Sequence, residues 1–176
     1  MSEQVAKTIQ GLQAAVAANG ALAKVVFRAT TVSESDTLST ESRIRTFTVR
    51  LDEPPELGGD DTGPNPAEAL LAALGSCQAI VYRAYASALG LRLDRVEVEA
   101  RGHLDVRGFL SVAPVASGFE RVEFTTRVES PEPPERIREL SRLVEEHCPV
   151  LDTLRTPVPV SGTVEVLLTA ARRDAA

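Results

Sequence analysis

Apolar residues recur at Val5, Ile9, Leu12 and Val16, the spacing of one helical face, and Gly20 closes the run. This predicts an amphipathic helix over residues 4–18. Residues 22–32 carry Val25, Val26, Phe27 and β-branched threonines and predict a strand. The stretch 33–42 is polar and turn-like. Residues 44–51 predict a second strand, with Phe47, Val49 and Leu51 on one face and Ile44, Thr46, Thr48 and Arg50 on the other. The segment DEPPELGGDDTGPNP, residues 52–66, is punctuated by Pro and Gly and reads as a loop. Loops of that length inside a compact domain are often functional.

Asn65-Pro66-Ala67-Glu68 has the form of a helix start: Asn65 as N-cap, Pro66 at the first helical position, Glu68 at the capping-box position. The helix then runs to Gly90. It is apolar almost all round as far as Tyr82, which predicts burial on most sides, in a core or a subunit interface. Residues 93–101 alternate and predict a strand. Residues 102–118 suggest strand pieces around a turn. Another strand follows from Phe119 to Glu129. A helix begins within 130–134, carries Ile137, Leu140, Leu143 and Val144 on one face, and stops near His147-Cys148-Pro149, where proline blocks continuation. Residues 158–169 predict a last strand.

Strand runs without regular βαβ alternation argue for an α+β fold with a mainly antiparallel sheet. The whole chain, 1–176, reads as one domain, with residues 1–20 as a helical extension and 170–176 as a polar tail. Only 4% of residues are aromatic and none is Trp, so Ala, Val and Leu must build the core. A net charge of -6 repels phosphate backbones and argues against a nucleic-acid partner. The first residues lack the pattern of a secretory signal. The apolar run from Ala69 to Tyr82 is shorter than the ~20 residues of a membrane span. A cytoplasmic protein without a membrane partner is therefore expected.

Two cysteines are too few for a disulfide scaffold, so in a reducing compartment they are either small hydrophobes or a redox couple. Cys77 lies in mid-helix after Gly75-Ser76, a small-residue patch that leaves room beside the sulfur. A packed, inert cysteine is the ordinary alternative. Cys148 ends the later helix, and only the fold can bring it to Cys77. A nucleophilic sulfur must be a thiolate. Cys77 is too deep in its helix for the N-terminal dipole, so a nearby cation is required. Arg50, at a strand end beside the loop that feeds the helix, is the candidate, against the simpler reading of a surface arginine. Glu68 either orients Arg50 or only caps the helix. Nine residues of helix, about 13.5 Å, separate Glu68 from Cys77 on nearly opposite faces. One site that used both would therefore need a crossing helix from a second subunit. His103 and His147 lack metal-ligand spacing, and neither a metal nor a cofactor is expected.

The segment GPNPAEALLAALGSC, residues 63–77, together with HCPV, residues 147–150, resembles the OsmC/Ohr family of osmotically inducible and organic hydroperoxide resistance proteins. The stretch LDEPPELGG resembles the OsmC-like branch with a longer loop before the helix. The resemblance spans most of residues 44–168. It implies an intertwined homodimer whose strands wrap two long central helices, with sites at the subunit interface. It also implies a thiol-dependent peroxidase that prefers organic hydroperoxides to hydrogen peroxide. Cys77 would form a sulfenic acid, Cys148 would close a disulfide, and a thiol or lipoyl-type dithiol would reduce it. By the same resemblance Phe47-Thr48-Val49-Arg50 supplies the site arginine. The sequence departs at one place: the family's Glu follows Asn-Pro directly, where this chain has Ala67, with Glu68 one position later. That departure motivates a second reading, a dimer with little peroxidase activity that binds a small apolar or thiol ligand between its subunits. A structural domain with two inert cysteines is the third.

Overall fold

A computed structural model describes residues 3–34 and 36–167. The chain forms helix α1 (Glu3–Ala18), strands β1 (Thr30–Val32), β2 (Thr40–Ile44) and β3 (Phe47–Leu51), and the long helix α2 (Pro66–Ala88). Strand β4 (Arg95–Leu104), a short helix α3 (Val106–Phe109), strand β5 (Phe119–Glu129) and helices α4 (Pro134–His147) and α5 (Pro149–Arg155) complete it. Two antiparallel sheets result, one ordered β1-β2-β3 and one of β4 with β5. The class is α+β, as expected.

Helix α2 packs on β4 and crosses α4. Its buried stripe is Leu74, Gln78, Tyr82 and Ala86, the four-residue step that keeps side chains on one face. Two apolar clusters form along that stripe. One joins Tyr82 and Ala86 to Leu91, Leu93, Leu140 and Val144, with Val96 and Val128 of the sheet beneath. The other joins Leu74 to Cys148 and Leu151, with Ala100, Val122 and Phe124 beneath. Tyr82 meets its polar need by donating to Ser141 Oγ at 2.9 Å.

Several expectations are corrected. The strand over 22–32 shrinks to three residues, because Val25, Val26 and Phe27 find no neighbouring strand; Phe27 is 91% exposed. The single strand over 44–51 is the second half of a hairpin. Ile44 faces Phe47 across a turn at Arg45-Thr46, and Arg45 takes a φ of 57° with its guanidinium 5.1 Å from the Phe47 ring centre. A cation on an aromatic face stabilises that turn without the glycine that usually marks one. Within 102–118 the expected strand is found over 102–104, the end of β4, but the chain then makes the short helix α3, capped by Asp105, in place of further strand. Pro149 ends α4 but also starts α5, since proline suits a first helical position. Residues 158–167 pair with no strand, and Val160 is 89% exposed. Residues 168 and 169 of that expected strand, and the tail at 170–176, lie outside the described residues.

Helix α2 is buried along one stripe only; Ile80, on another face, is 68% exposed. At 23 residues the whole helix is, by length and composition, long and apolar enough to cross a membrane, although the apolar run read from sequence is shorter. Yet its stripe is packed into the core, and Arg83 donates to the Leu93 and Asp94 carbonyls that follow it. Leu140 is fully buried where α4 meets α2. Leu140→Ala is expected to lower stability by about 2–5 kcal/mol, read as a shifted urea midpoint.

Candidate active site

The loop of residues 52–65 fixes the start of α2. Asp52 is buried and accepts from Glu53 N at 2.8 Å, Thr62 N at 3.1 Å and Thr62 Oγ at 2.8 Å. These donors, the Thr62 hydroxyl first, hold its carboxyl below the usual carboxylate range. A Cβ on Gly63 would stand 2.6 Å from the Arg50 carbonyl oxygen, so only glycine lets the returning loop lie against the end of β3. Asn65 then caps α2, accepting from Ala67 N at 2.7 Å, while Glu68 Oε2 accepts from Asn65 N at 2.9 Å. The Asn65 amide also donates to the Glu53 carboxylate. Glu53 is an acid at the helix start that the sequence reading passed over; its place beside Asn65 depends on how the loop folds back.

Cys77 sits midway along α2, half-buried, against the cluster of Leu74, Cys148 and Leu151. Cys148 is fully buried at the joint between α4 and α5. Both are free thiols, and they share one apolar cluster, close enough for Cys148 to act on the Cys77 proton. The joint matters chemically. Pro149 starts α5, which leaves the Val150 N–H without an intrahelical acceptor, and the influence of that N–H on Cys77 is to favour the thiolate. Burial raises the Cys77 pKa above the ordinary thiol value, and the neighbouring Cys148 adds to this; the Val150 N–H acts the other way. Among the described residues, none of the groups acting on this thiol is a cation.

The other two candidate residues stand elsewhere in the single chain. The Arg50 side chain is exposed and lines a cleft of about 390 Å³ on the three-stranded sheet, beside Glu41 and Arg43. Glu68 is exposed, serves the capping box, and borders an open groove between α2 and β4 with Gly75 and Ser76 as part of its floor. The small-residue patch is therefore open, but on the side of the helix that faces β4. His147 stacks its ring on Tyr85, with centroids 5.5 Å apart and planes 9° apart, beside the buried Cys148. Among the described residues no cluster of three or more His, Cys, Asp or Glu side chains is arranged to hold a metal ion.

With this geometry in hand, the relationships are plain. Residues 58–162 match the model of the OsmC-like protein family. A protein of Haloferax volcanii that is itself uncharacterised is 31% identical over 135 residues, covering 76% of this chain and 91% of its own. The chain belongs to the OsmC-like protein family. Its fold is similar to that of an OsmC-like protein from Mycoplasma pneumoniae, with a TM-score of 0.65 at 21% identity, covering 76% of this chain and 90% of that one. It is also similar to an organic hydroperoxide resistance protein OsmC from Legionella pneumophila, with a TM-score of 0.55 at 19% identity, covering 75% and 92%.

The two thiols differ in access. A maleimide added to the native protein is expected to label Cys77 and spare Cys148, with both labelled in denaturant. Peptide mass mapping checks this, and equal native labelling of the two would contradict the packing described.

Proposed function

We propose that this OsmC-like protein is a thiol-dependent peroxidase that reduces organic hydroperoxides, and hydrogen peroxide less well, through Cys77 and Cys148. One observation carries the reading. Two cysteines remote in sequence meet as free thiols in a single apolar seam. The Cys77 thiolate attacks one peroxide oxygen and the O–O bond breaks. The alkoxide leaves and is protonated to an alcohol, and Cys77 becomes a sulfenic acid. The Cys148 sulfur then displaces the hydroxyl as water and forms the disulfide. A thiol or lipoyl-type dithiol returns both to thiols by exchange. Leu74, Val122 and Phe124 around the pair favour a peroxide that carries an apolar group. A reducing, cytoplasmic setting suits that cycle.

The reaction needs a thiolate, and burial alone opposes one. We assign the missing cation to Arg50 of a second copy, in an intertwined homodimer. The reading is supported by the surface of the single chain: Phe27, Val160 and Ile80 stand exposed, both sheets have open edges, and α2 keeps an apolar face uncovered. Exposed apolar area and open edges of that extent are normally covered. A guanidinium beside the thiolate binds the peroxide oxygens as well as the sulfur. Glu68 has a lesser part, because its carboxylate is engaged by the Asn65 backbone N–H; Glu53 is the acid within the loop, held by the Asn65 side-chain amide.

A second reading is favoured by one feature: among the described residues, the groups acting on Cys77 within one chain include no cation. In that reading the dimer binds a small apolar or thiol ligand and turns over little peroxide.

Two measurements decide. With cumene hydroperoxide and a dithiol, the wild type should consume peroxide while Cys77→Ser should not, and Cys148→Ser should accumulate sulfenic acid trapped by dimedone. Equal consumption by wild type and Cys77→Ser would end the peroxidase reading. Separately, the pH midpoint for alkylation of Cys77 in the dimer should lie below that of an ordinary thiol. In Arg50→Met it should rise above that of an ordinary thiol, the direction in which burial acts. An unchanged midpoint would remove Arg50 from the site.

A further inference from the structure

The buried stripe of α2 is interrupted by one polar residue. Gln78 is fully buried between Leu74 and Tyr82, and neither its Nε2 nor its Oε1 has a hydrogen-bond partner among the described residues. Thr126 on β5 has a buried Oγ in the same condition. The sheet register puts the two in one layer. Ala100 faces Phe124 beneath the cluster that holds Cys148, and Val96 faces Val128 beneath the Tyr82 cluster. The pair between them, two residues along each strand and on the same face, is Val98 with Thr126. On the helix side the residue between the clusters is Gln78. On α4 the two clusters are represented by Val144 and Cys148, one helical turn apart. A polar layer thus lies between the two clusters, bordering the one that holds Cys148, and Gln78 directly follows Cys77 in the chain.

Buried amides and hydroxyls are almost always satisfied, and where protein atoms do not do it an internal water does. Such a water needs several polar partners, and this layer supplies three. Cys148 has a matching need. To close the disulfide it must give up a proton, and full burial removes it from bulk solvent. We infer that Gln78 and Thr126 hold an internal water against Cys148, and that this water carries the Cys148 proton to the departing hydroxyl of the Cys77 sulfenic acid. The bonds balance: the Cys148 S–H and Cys77 S–O bonds break, the S–S bond forms, and water leaves. Gln78 and Thr126 are positioning residues for that step. The inference rests on reading Cys148 as the resolving thiol.

The test uses an exchange that needs no peroxide. Dithiobis(nitrobenzoate) converts Cys77 to an aryl mixed disulfide and releases one coloured thiolate. Attack by Cys148 then releases a second, and its proton passes to solvent. The full-length wild type should release two equivalents. Gln78→Met and Thr126→Val keep side-chain size and remove the polar groups, so they should fold. Both should keep the first release unchanged and slow the second by about tenfold or more. The double variant should be no slower than the slower single one, because both remove the same water. Thr126→Ser, which loses a methyl but keeps the hydroxyl, should close at the wild-type rate. Wild-type closure in Gln78→Met and Thr126→Val would overturn the inference and leave the two-cysteine reading standing. So would a Thr126→Ser variant as slow as Thr126→Val, which would point to packing. A wild type that stops at one equivalent would overturn both.

Discussion

The site depends on one break in the chain, the joint between α4 and α5. Cys148 adopts an extended conformation there, and Pro149 begins a new helix at once. The break lets two helices meet α2 from different directions, so that Val144 packs on the Tyr82 end of the stripe while Cys148 and Leu151 pack on Leu74. A continuous helix would carry Leu151 away along the α4 axis and leave Leu74 without its cover. The same break frees the Val150 N–H, which favours the Cys77 thiolate. Core packing, the meeting of the two thiols and a backbone N–H that favours the thiolate all follow from a single proline after a cysteine.

Against that donor stands desolvation. A thiolate in apolar surroundings loses the hydration that stabilises it, and one backbone N–H replaces only part of it. In the single chain desolvation wins, and the Cys77 proton is held more tightly than in a free thiol. A full positive charge at contact distance has a far larger effect than an amide dipole: even at an effective dielectric of about 20 it contributes about 4 kcal/mol at 4 Å before the cost of bringing the charge in. The difference between the two readings of this protein is therefore the position of one guanidinium. Gly63 ties the Arg50 backbone to the loop before α2, so in the proposed homodimer that position would follow from how α2 of one chain lies relative to the sheet of the other.

Much of this was legible in the sequence, for stated reasons. Helix α2 announces itself through Asn65-Pro66 and Glu68, because capping uses local groups only. Strand β4 shows in the alternation of Val96, Val98 and Ala100 with Glu97, Glu99 and Arg101, because apolar and charged side chains take opposite faces. The hairpin at Arg45-Thr46 was not legible. Its turn is held by a side chain on a ring instead of by glycine. Helix α5 was hidden because proline signals both an end and a start. The pairing of Cys77 with Cys148 was legible only through resemblance to relatives, since nothing in the spacing brings the two together. Gln78 gave no signal at all. A glutamine in a helix is ordinary until its neighbours Leu74 and Tyr82 are seen to be buried with it.

Gln78 also bears on why the core is built in two clusters. A leucine at that position would fuse them into one apolar seam from Leu151 to Leu93, and removing a buried amide without protein partners tends to be neutral or stabilising. Stability alone therefore gives no reason for glutamine at the centre of the longest helix. The layer it forms with Thr126 borders the cluster that holds the buried thiol, which is where a hydrogen-bonding group changes the chemistry most, because in a low-dielectric core each such contact is stronger than in water. A polar interruption that costs stability and adjoins a sulfur has the signature of a reaction requirement. The apolar residues on either side keep that polar contact confined to the one place in the core where a proton has to move.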